Sequence, residues 1–201
     1  MAFLYGASGH GKVIKDIIES QGRTVDGFLD DNPEIKVLSG LIVKHSAECV
    51  DDIIISIGNN KTRKKIVEKL RCEFSKAAIH NNAILSPTAI VGEGSVVMAG
   101  AIINADAKIG KHCIINTGAS IDHECKIGDF VHISPHATLC GEVIVGEGTW
   151  IGAGTTVIQG IKIGKWSQIG AGSVVVKDIP DGCVAYGNPC KIVKRINEDM
   201  L

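Results

Sequence analysis

His123 and Glu124 stand side by side in the segment IDHECKIGDFVHIS, residues 121–134. A histidine takes and gives protons near neutrality. A neighbouring carboxylate stabilises the imidazolium and raises the basicity of the ring. Such a pair suits a nucleophile that must lose a proton as it attacks, such as an amine meeting a thioester. The oxyanion formed in that attack needs an N–H donor. Gly141, eighteen residues after His123, is a candidate for reasons of spacing given below. A second cluster lies near the N-terminus, where Gly6-Ala-Ser-Gly-His-Gly11 follows the apolar stretch Ala2–Tyr5. A glycine turn feeding a helix offers free backbone N–H groups and a positive dipole end, both suited to phosphate. Asp30 follows Gly11 by nineteen residues, about where an acid meets a ribose hydroxyl in nucleotide-binding units. The spacing G-x-x-G-x-G departs from the dinucleotide pattern G-x-G-x-x-G. A plain strand-to-helix turn beside solvated aspartates therefore stays open as an alternative.

Other candidates carry less. Cys113 and Cys125 fall at small, inward positions and read as inert core thiols. Cys140 has no base at a defensible spacing. His112, His123, His132 and His136 raise the question of zinc, but no recognisable ligand pattern connects them, so no metal is expected. Trp150 and Trp166 fall at outward or corner positions and read as subunit-packing residues.

The elements that must position these groups are written in the repeats. Every sixth residue from Leu85 to Val175 is aliphatic, and Ile79 extends the series one step back. An α-helix repeats at 3.6 residues and a strand at 2, so neither accounts for this period. A triangular coil of short parallel strands does, with six residues per side and eighteen per turn. Gly92, Gly110, Gly128, Gly146 and Gly164 fall at the eighteen-residue spacing. Residues two before the aliphatic ones are mostly small, from Ala83 to Cys125, and share the narrow interior. Stacked turns sit about 4.8 Å apart, so positions 123 and 141 should be neighbours, with His123 at a corner. Outward apolar residues Ile84, Ile90, Val96, Ile102, Ile114 and Ile144 then form an exposed face larger than a monomer leaves wet.

Residues 1–75 read differently. Strands are expected at 2–5, 24–29 and 53–57, with helices after the glycine loop and from Thr62 to Cys72. This is a small Rossmann-like βαβ unit with a parallel sheet and a ligand at the strand C-terminal ends. Three strands are too few for a full dinucleotide domain. The link to the coil falls around 75–82, which divides the chain into 1–75 and 76–201.

Composition sets the boundaries of function. The 201 residues carry a net charge of −1, which gives no electrostatic case for nucleic acid. No apolar run is long enough to span a bilayer. The start MAFLYGASGHGK lacks a charged region and a cleavage site, so no signal peptide is expected. Seven cysteines, an odd number without a CxxC pair, favour a reducing compartment. A cytoplasmic protein is the expectation.

The coil, the closing segment VVVKDIPDGCVAYGNPCKIVK (174–194) and the motifs GASGHG (6–11), FLDD (28–31), SIGNN (56–60) and IDHECKIGDFVHIS together resemble the bacterial sugar O/N-acyltransferase family. Within it, the enzymes acting on UDP-linked 4-amino sugars are the nearest in pattern. Cys190 stands where that family usually has alanine. The resemblance implies a left-handed parallel β-helix of hexapeptide repeats, acetyl-CoA as co-substrate, a nucleotide-linked amino sugar as acceptor and a homotrimer with sites between adjacent coils. It places the catalytic base on His123 and its acidic partner on Glu124. It places acceptor binding on Ser8, Gly9, His10, Asp30, Asp31 and Gly58. Acetyl-CoA contacts fall on His132, Ala153 and Ala171, the alanines acting through backbone groups. Three other readings stay open: O-acetylation of a sialic-acid-type sugar, acetylation of another nucleotide-linked amino sugar, and a non-catalytic or zinc-dependent coil.

Overall fold

The structure is a computed structural model that describes residues 2–47, 50–70 and 72–196. Strand β1 (Ala2–Tyr5) leads through the glycine loop into helix α1 (Gly9–Ser20) and then β2 (Val25–Leu29). A short hairpin follows, β3 (Val37–Leu38) and β4 (Leu41–Lys44), then β5 (Ile53–Ile55) and helix α2 (Asn60–Lys69). The sheet has five strands in the order β3-β4-β2-β1-β5, two more than the sequence suggests. Its pairings are parallel except the β3–β4 hairpin. The hairpin went unread although its strands are apolar, Val37-Leu38 and Leu41-Ile42-Val43 around Ser39-Gly40, because each apolar piece is too short to stand out as a strand. Helix α2 begins at Asn60, two residues ahead of expectation, because the Asn59 side chain accepts the Thr62 N–H at 2.9 Å and caps the helix there.

From Ala78 the chain winds into a parallel β-helix. Among the described residues seventeen two-residue strands, β6 (Ala78–Ile79) through β22 (Val174–Val175), end on the six-spaced aliphatic residues. They form three flat sides. The first carries Ala78–Ile79, Val96–Val97, Ile114–Ile115, His132–Ile133, Trp150–Ile151 and Gln168–Ile169. The second carries the strands from Ile84–Leu85 to Val174–Val175, and the third those from Ile90–Val91 to Lys162–Ile163. Strands β23 (Cys183–Tyr186) and β24 (Lys191–Arg195) extend the first side and close the coil. Successive turns register at eighteen residues, as in Ile114 opposite His132 and His132 opposite Trp150.

The aliphatic column forms one continuous core with Ala101, Ala107, Cys113, Ala119 and Cys125. Further along, the small inward positions become hydroxyls. These remain satisfied: Thr149 Oγ1 donates to the Gly164 carbonyl at 2.6 Å and Thr155 Oγ1 to that of Gly170 at 3.1 Å. The third residue after many aliphatic positions adopts left-handed backbone. Glycine often fills it, but Asp106, His112, Glu124, Phe130, His136, Glu142 and Trp166 hold it too. These non-glycine residues are strained relative to glycine, and this turn is what projects Glu124 back toward His123.

The expected open apolar face is only partly open. Ile84 and Ile90 are exposed, at 64% and 57% of their surface. Val96 and Ile114 are buried instead, because α1 lays Ile14, Ile17 and Ile18 against them together with Met98. The N-terminal unit thus docks on the first side of the coil. Arg63, buried to 1% exposure, ties the two together by donating to the carbonyls of His112 and Phe130, both at 2.8 Å.

Candidate active site

The glycine loop is shaped by close approach. A Cβ on Gly11 would stand 2.6 Å from the Gly6 carbonyl oxygen and 2.9 Å from the Phe28 ring. Helix α1 therefore starts hard against the sheet. Its N-cap residue Ser8 makes no side-chain cap, and the first turn carries no acid, so the helix itself does not offset its positive end. Ser8 and Gly9 are exposed there.

Asp30 holds this loop in place. Its Oδ2 accepts the Ala7 N–H at 2.8 Å and its Oδ1 the Asn32 N–H at 2.9 Å. Asp31 accepts the Tyr5 hydroxyl at 2.6 Å and lies 3.8 Å from Lys69 Nζ. Burial, then Asp31, push the Tyr5 phenol upward, so it stays a donor. Both aspartates border a cavity of about 220 Å³ with His45 and Lys69.

His10, Gly58 and His132 come together from three separate elements. His132 points outward from the first side of the coil. Its Nε2 lies 3.1 Å from Asn116 Nδ2, and the ring comes up against the Gly58 backbone. Burial first, then Arg63 and His10, push this imidazole down to about 3. Burial and then Arg63 push His10 down to about 4, and its Nε2 is buried without a partner. Both rings are thus neutral at physiological pH. The His132 ring stacks on Trp150 with centroids 6.2 Å apart. A cavity of about 790 Å³ opens beside this cluster, between Gly58–Lys61 and a wall of His132, Trp150, Trp166 and Gln168. Trp150 and Trp166 both line this cavity.

His123 lies elsewhere, at the corner between the second and third sides, where its side chain is 52% exposed. Its Nδ1 is 3.1 Å from Glu124 Oε2. In the tautomer that donates from Nδ1, Nε2 is left free to accept a proton. Asp122 orients the pair from behind: its Oδ1 accepts the His123 backbone N–H at 2.8 Å and Asn104 Nδ2 at 2.9 Å. Gly141 sits one turn on, against the His123 ring. Ala153 and Ala171 are exposed at the corner between the first and second sides. Among the described residues no hydrogen bond engages the N–H of Gly141, Ala153 or Ala171, so each is free to donate.

The predicted residues therefore fall into separate places within one chain. His10, Gly58 and His132 meet at the junction of the two units. His123, Glu124 and Gly141 meet at the vertex opposite that side of the coil. Arg63, Asn116, Asp122 and the lining role of Trp150 escaped sequence reasoning. Asp122 had a signal in its adjacency to His123; Arg63 had none, lying in a charged helix. The core thiols behave as expected, burial pushing Cys113 up to about 12 and Cys125 to about 11. Among the described residues no cluster of His, Cys, Asp and Glu could hold a metal ion, and no helix is long and apolar enough to cross a membrane.

Residues 2–70 match the family described as PglD N-terminal domain, and residues 106–141 and 142–177 match bacterial transferase hexapeptide repeats. A mutant of perosamine N-acetyltransferase from Caulobacter crescentus, solved with CoA and GDP-perosamine, is 37% identical, with a TM-score of 0.90 and 96% of each chain covered. The acetyltransferase domain of PglB from Neisseria gonorrhoeae is 36% identical, with a TM-score of 0.87, over 96% of this chain and 98% of that one. UDP-N-acetylbacillosamine N-acetyltransferase of Bacillus subtilis is 44% identical over 111 residues, 48% of this chain. That match spans about half the length of the curated relative, 50%. A PglD-type N-terminal unit joined to a hexapeptide coil, matched along nearly its whole length, makes this chain a member of the sugar acetyltransferase family.

Proposed function

We propose that the protein transfers the acetyl group of acetyl-CoA to the 4-amino group of a UDP-linked amino-dideoxy sugar. The observation that carries this reading is the His123–Glu124 pair, its Nδ1 on the carboxylate and its Nε2 open, beside the free N–H of Gly141. The amine nitrogen attacks the thioester carbonyl while His123 Nε2 takes the proton it sheds. The Gly141 N–H steadies the oxyanion. The C–S bond then breaks, and the proton held on His123 passes to the departing thiolate. No acyl-enzyme is needed, and the buried cysteines offer no nucleophile.

Acceptor binding falls to the N-terminal unit. The open N–H groups at Ser8–His10 suit a diphosphate, with Asp31 and the loop-holding Asp30 on the nucleoside side and Gly58 toward the sugar. Acetyl-CoA runs past His132 and the N–H groups of Ala153 and Ala171. The base and the acceptor-binding unit stand on opposite parts of one coil's triangular section. A site containing both is completed by a second chain, and a homotrimer closes that arrangement symmetrically. A thiol-release assay with acetyl-CoA and a panel of free and nucleotide-linked amino sugars tests the reading. Rapid release with the nucleotide-linked amines supports it. Equal rates on a free sugar hydroxyl would move the function to O-acetylation of a sialic-acid-type sugar.

A further inference from the structure

Arg63 is the most deeply buried cation in the junction, and its partners are unusual. Nε donates to the His112 carbonyl at 2.8 Å, and Nη1 to the carbonyls of Ile57 and Gly58 at 2.9 and 3.2 Å. Nη2 donates to Asn60 Oδ1 at 2.9 Å and to the Phe130 carbonyl at 2.8 Å. All of these acceptors are neutral. A buried charge without a counter-ion is costly to keep, so a purely structural cross-link would be better made by a neutral group. The Gly58 carbonyl that Arg63 holds belongs to the backbone that meets His132.

The His132 tautomer follows from its other neighbour. Asn116 Oδ1 is taken by the Thr117 N–H at 2.8 Å, so its amide NH₂ points to His132 Nε2. Nε2 is then the acceptor, which puts the proton on Nδ1, the nitrogen left to face the Gly58 backbone. We propose that Arg63 is a positioning residue for acyl transfer: it fixes the Gly58 carbonyl against His132 and thereby holds that ring as its uncharged Nδ1–H tautomer. Its unpaired charge acts in the same sense on both junction histidines, adding to burial in keeping His132 and His10 unprotonated. The charged and titratable groups around the ring are Arg63 of α2 and His10 of α1, with Lys61 and Lys194 lining the adjoining cavity. All of the charged ones are positive. A neutral, immobile wall is what a thioester and an uncharged amine require.

The proposal rests on the acetyl-transfer reading only for the meaning of turnover, so its main test uses no substrate. Nitrogen-15 NMR of histidine-labelled protein, with His132→Gln to assign the signal, reads the tautomer directly. The wild type should show Nδ1–H, neutral His132 from pH 7.5 to 5. In Arg63→Lys, which keeps the charge but loses the fork, tautomers should mix. In Arg63→Met, His132 should begin to protonate at higher pH than in the wild type. In both variants kcat should fall roughly 10²-fold without a matching rise in either KM, and the acid limb of the Arg63→Met profile should move up. An Nε2–H or protonated His132 in the wild type at pH 5.5 would overturn the proposal, and that measurement stands even where neither variant folds. A variant that melts earlier with the wild-type tautomer and wild-type kcat would also overturn it, leaving Arg63 as a structural cross-link. Absence of acetyl transfer by the wild type, with the tautomer as expected, would instead count against the reaction.

Discussion

The His123 imidazole lies over Gly141, one turn of the coil away, so closely that a Cβ at residue 141 would come within 2.5 Å of its Cε1 and Nε2. Gly141 is outside the left-handed region, so its need for glycine comes from the ring above it. Gly141→Ala should leave the coil folded, because an exposed ring can swing away, but should misplace the base. Turnover should fall by about 10², the order of one displaced catalytic group. His123→Ala should lower it by about 10²–10⁴, and Glu124→Gln by less. Steady-state kinetics with a saturating acceptor check all three; near-normal turnover in His123→Ala would remove it as the base.

Ile114 is 1% exposed because α1 covers it. Ile114→Ala should destabilise the junction by about 2–5 kcal/mol, the usual range for emptying such a site. Ile90→Ala, on an exposed residue of the same type, should cost far less in a monomer. Limited proteolysis should cut the N-terminal unit of Ile114→Ala faster than the coil.

Three histidines make stability pH-dependent. His10 and His112 are pushed down to about 4 and His132 to about 3, each chiefly by burial. Depressed values mean that the unfolded chain binds protons first as pH falls below about 6.5. Stability from these groups is therefore complete above that value, is lost as pH falls toward 4 for His10 and His112 and toward 3 for His132, and is not regained below. Each fully unfolded-state-protonated histidine contributes a slope of about 1.4 kcal/mol per pH unit. Melting temperature should drop steeply between pH 6.5 and 4.5, and His112→Gln should flatten that fall. A melting temperature that is level across the range would contradict the buried neutral rings.

A site built from two chains predicts complementation. His123→Ala and His132→Ala homo-oligomers should each be impaired, while mixed oligomers should recover activity at the sites that draw a native residue from each chain. Light scattering should give a trimer mass. Absence of recovery in verified mixed oligomers, or an active monomer, would contradict the shared site.

The coil was legible because each of its turns makes the same demand, an aliphatic residue inward every sixth position, and that demand repeats along half the chain. The β3–β4 hairpin was not, because its apolar pieces, Val37-Leu38 and Leu41-Ile42-Val43, are too short to stand out even with Ser39-Gly40 between them. Val96 and Ile114 look like their outward neighbours Ile84 and Ile90; only docking of α1 distinguishes them, and docking is a long-range event. His123 and Glu124 were readable as an adjacent acid–base pair. Arg63 was not, since a cation on a charged helix is normally solvated, and its burial exists only once the coil packs against α2.

The most direct measurement is the product itself. The protein is incubated with carbon-13-labelled acetyl-CoA and a UDP-linked 4-amino-4,6-dideoxy sugar, and the product is examined by mass and NMR. The expected product is a nucleotide sugar heavier by one acetyl group, with the label in an amide on the former amine and one free thiol released per product. Label in an ester on a sugar hydroxyl, or no transfer to any nucleotide-linked amine, would contradict it.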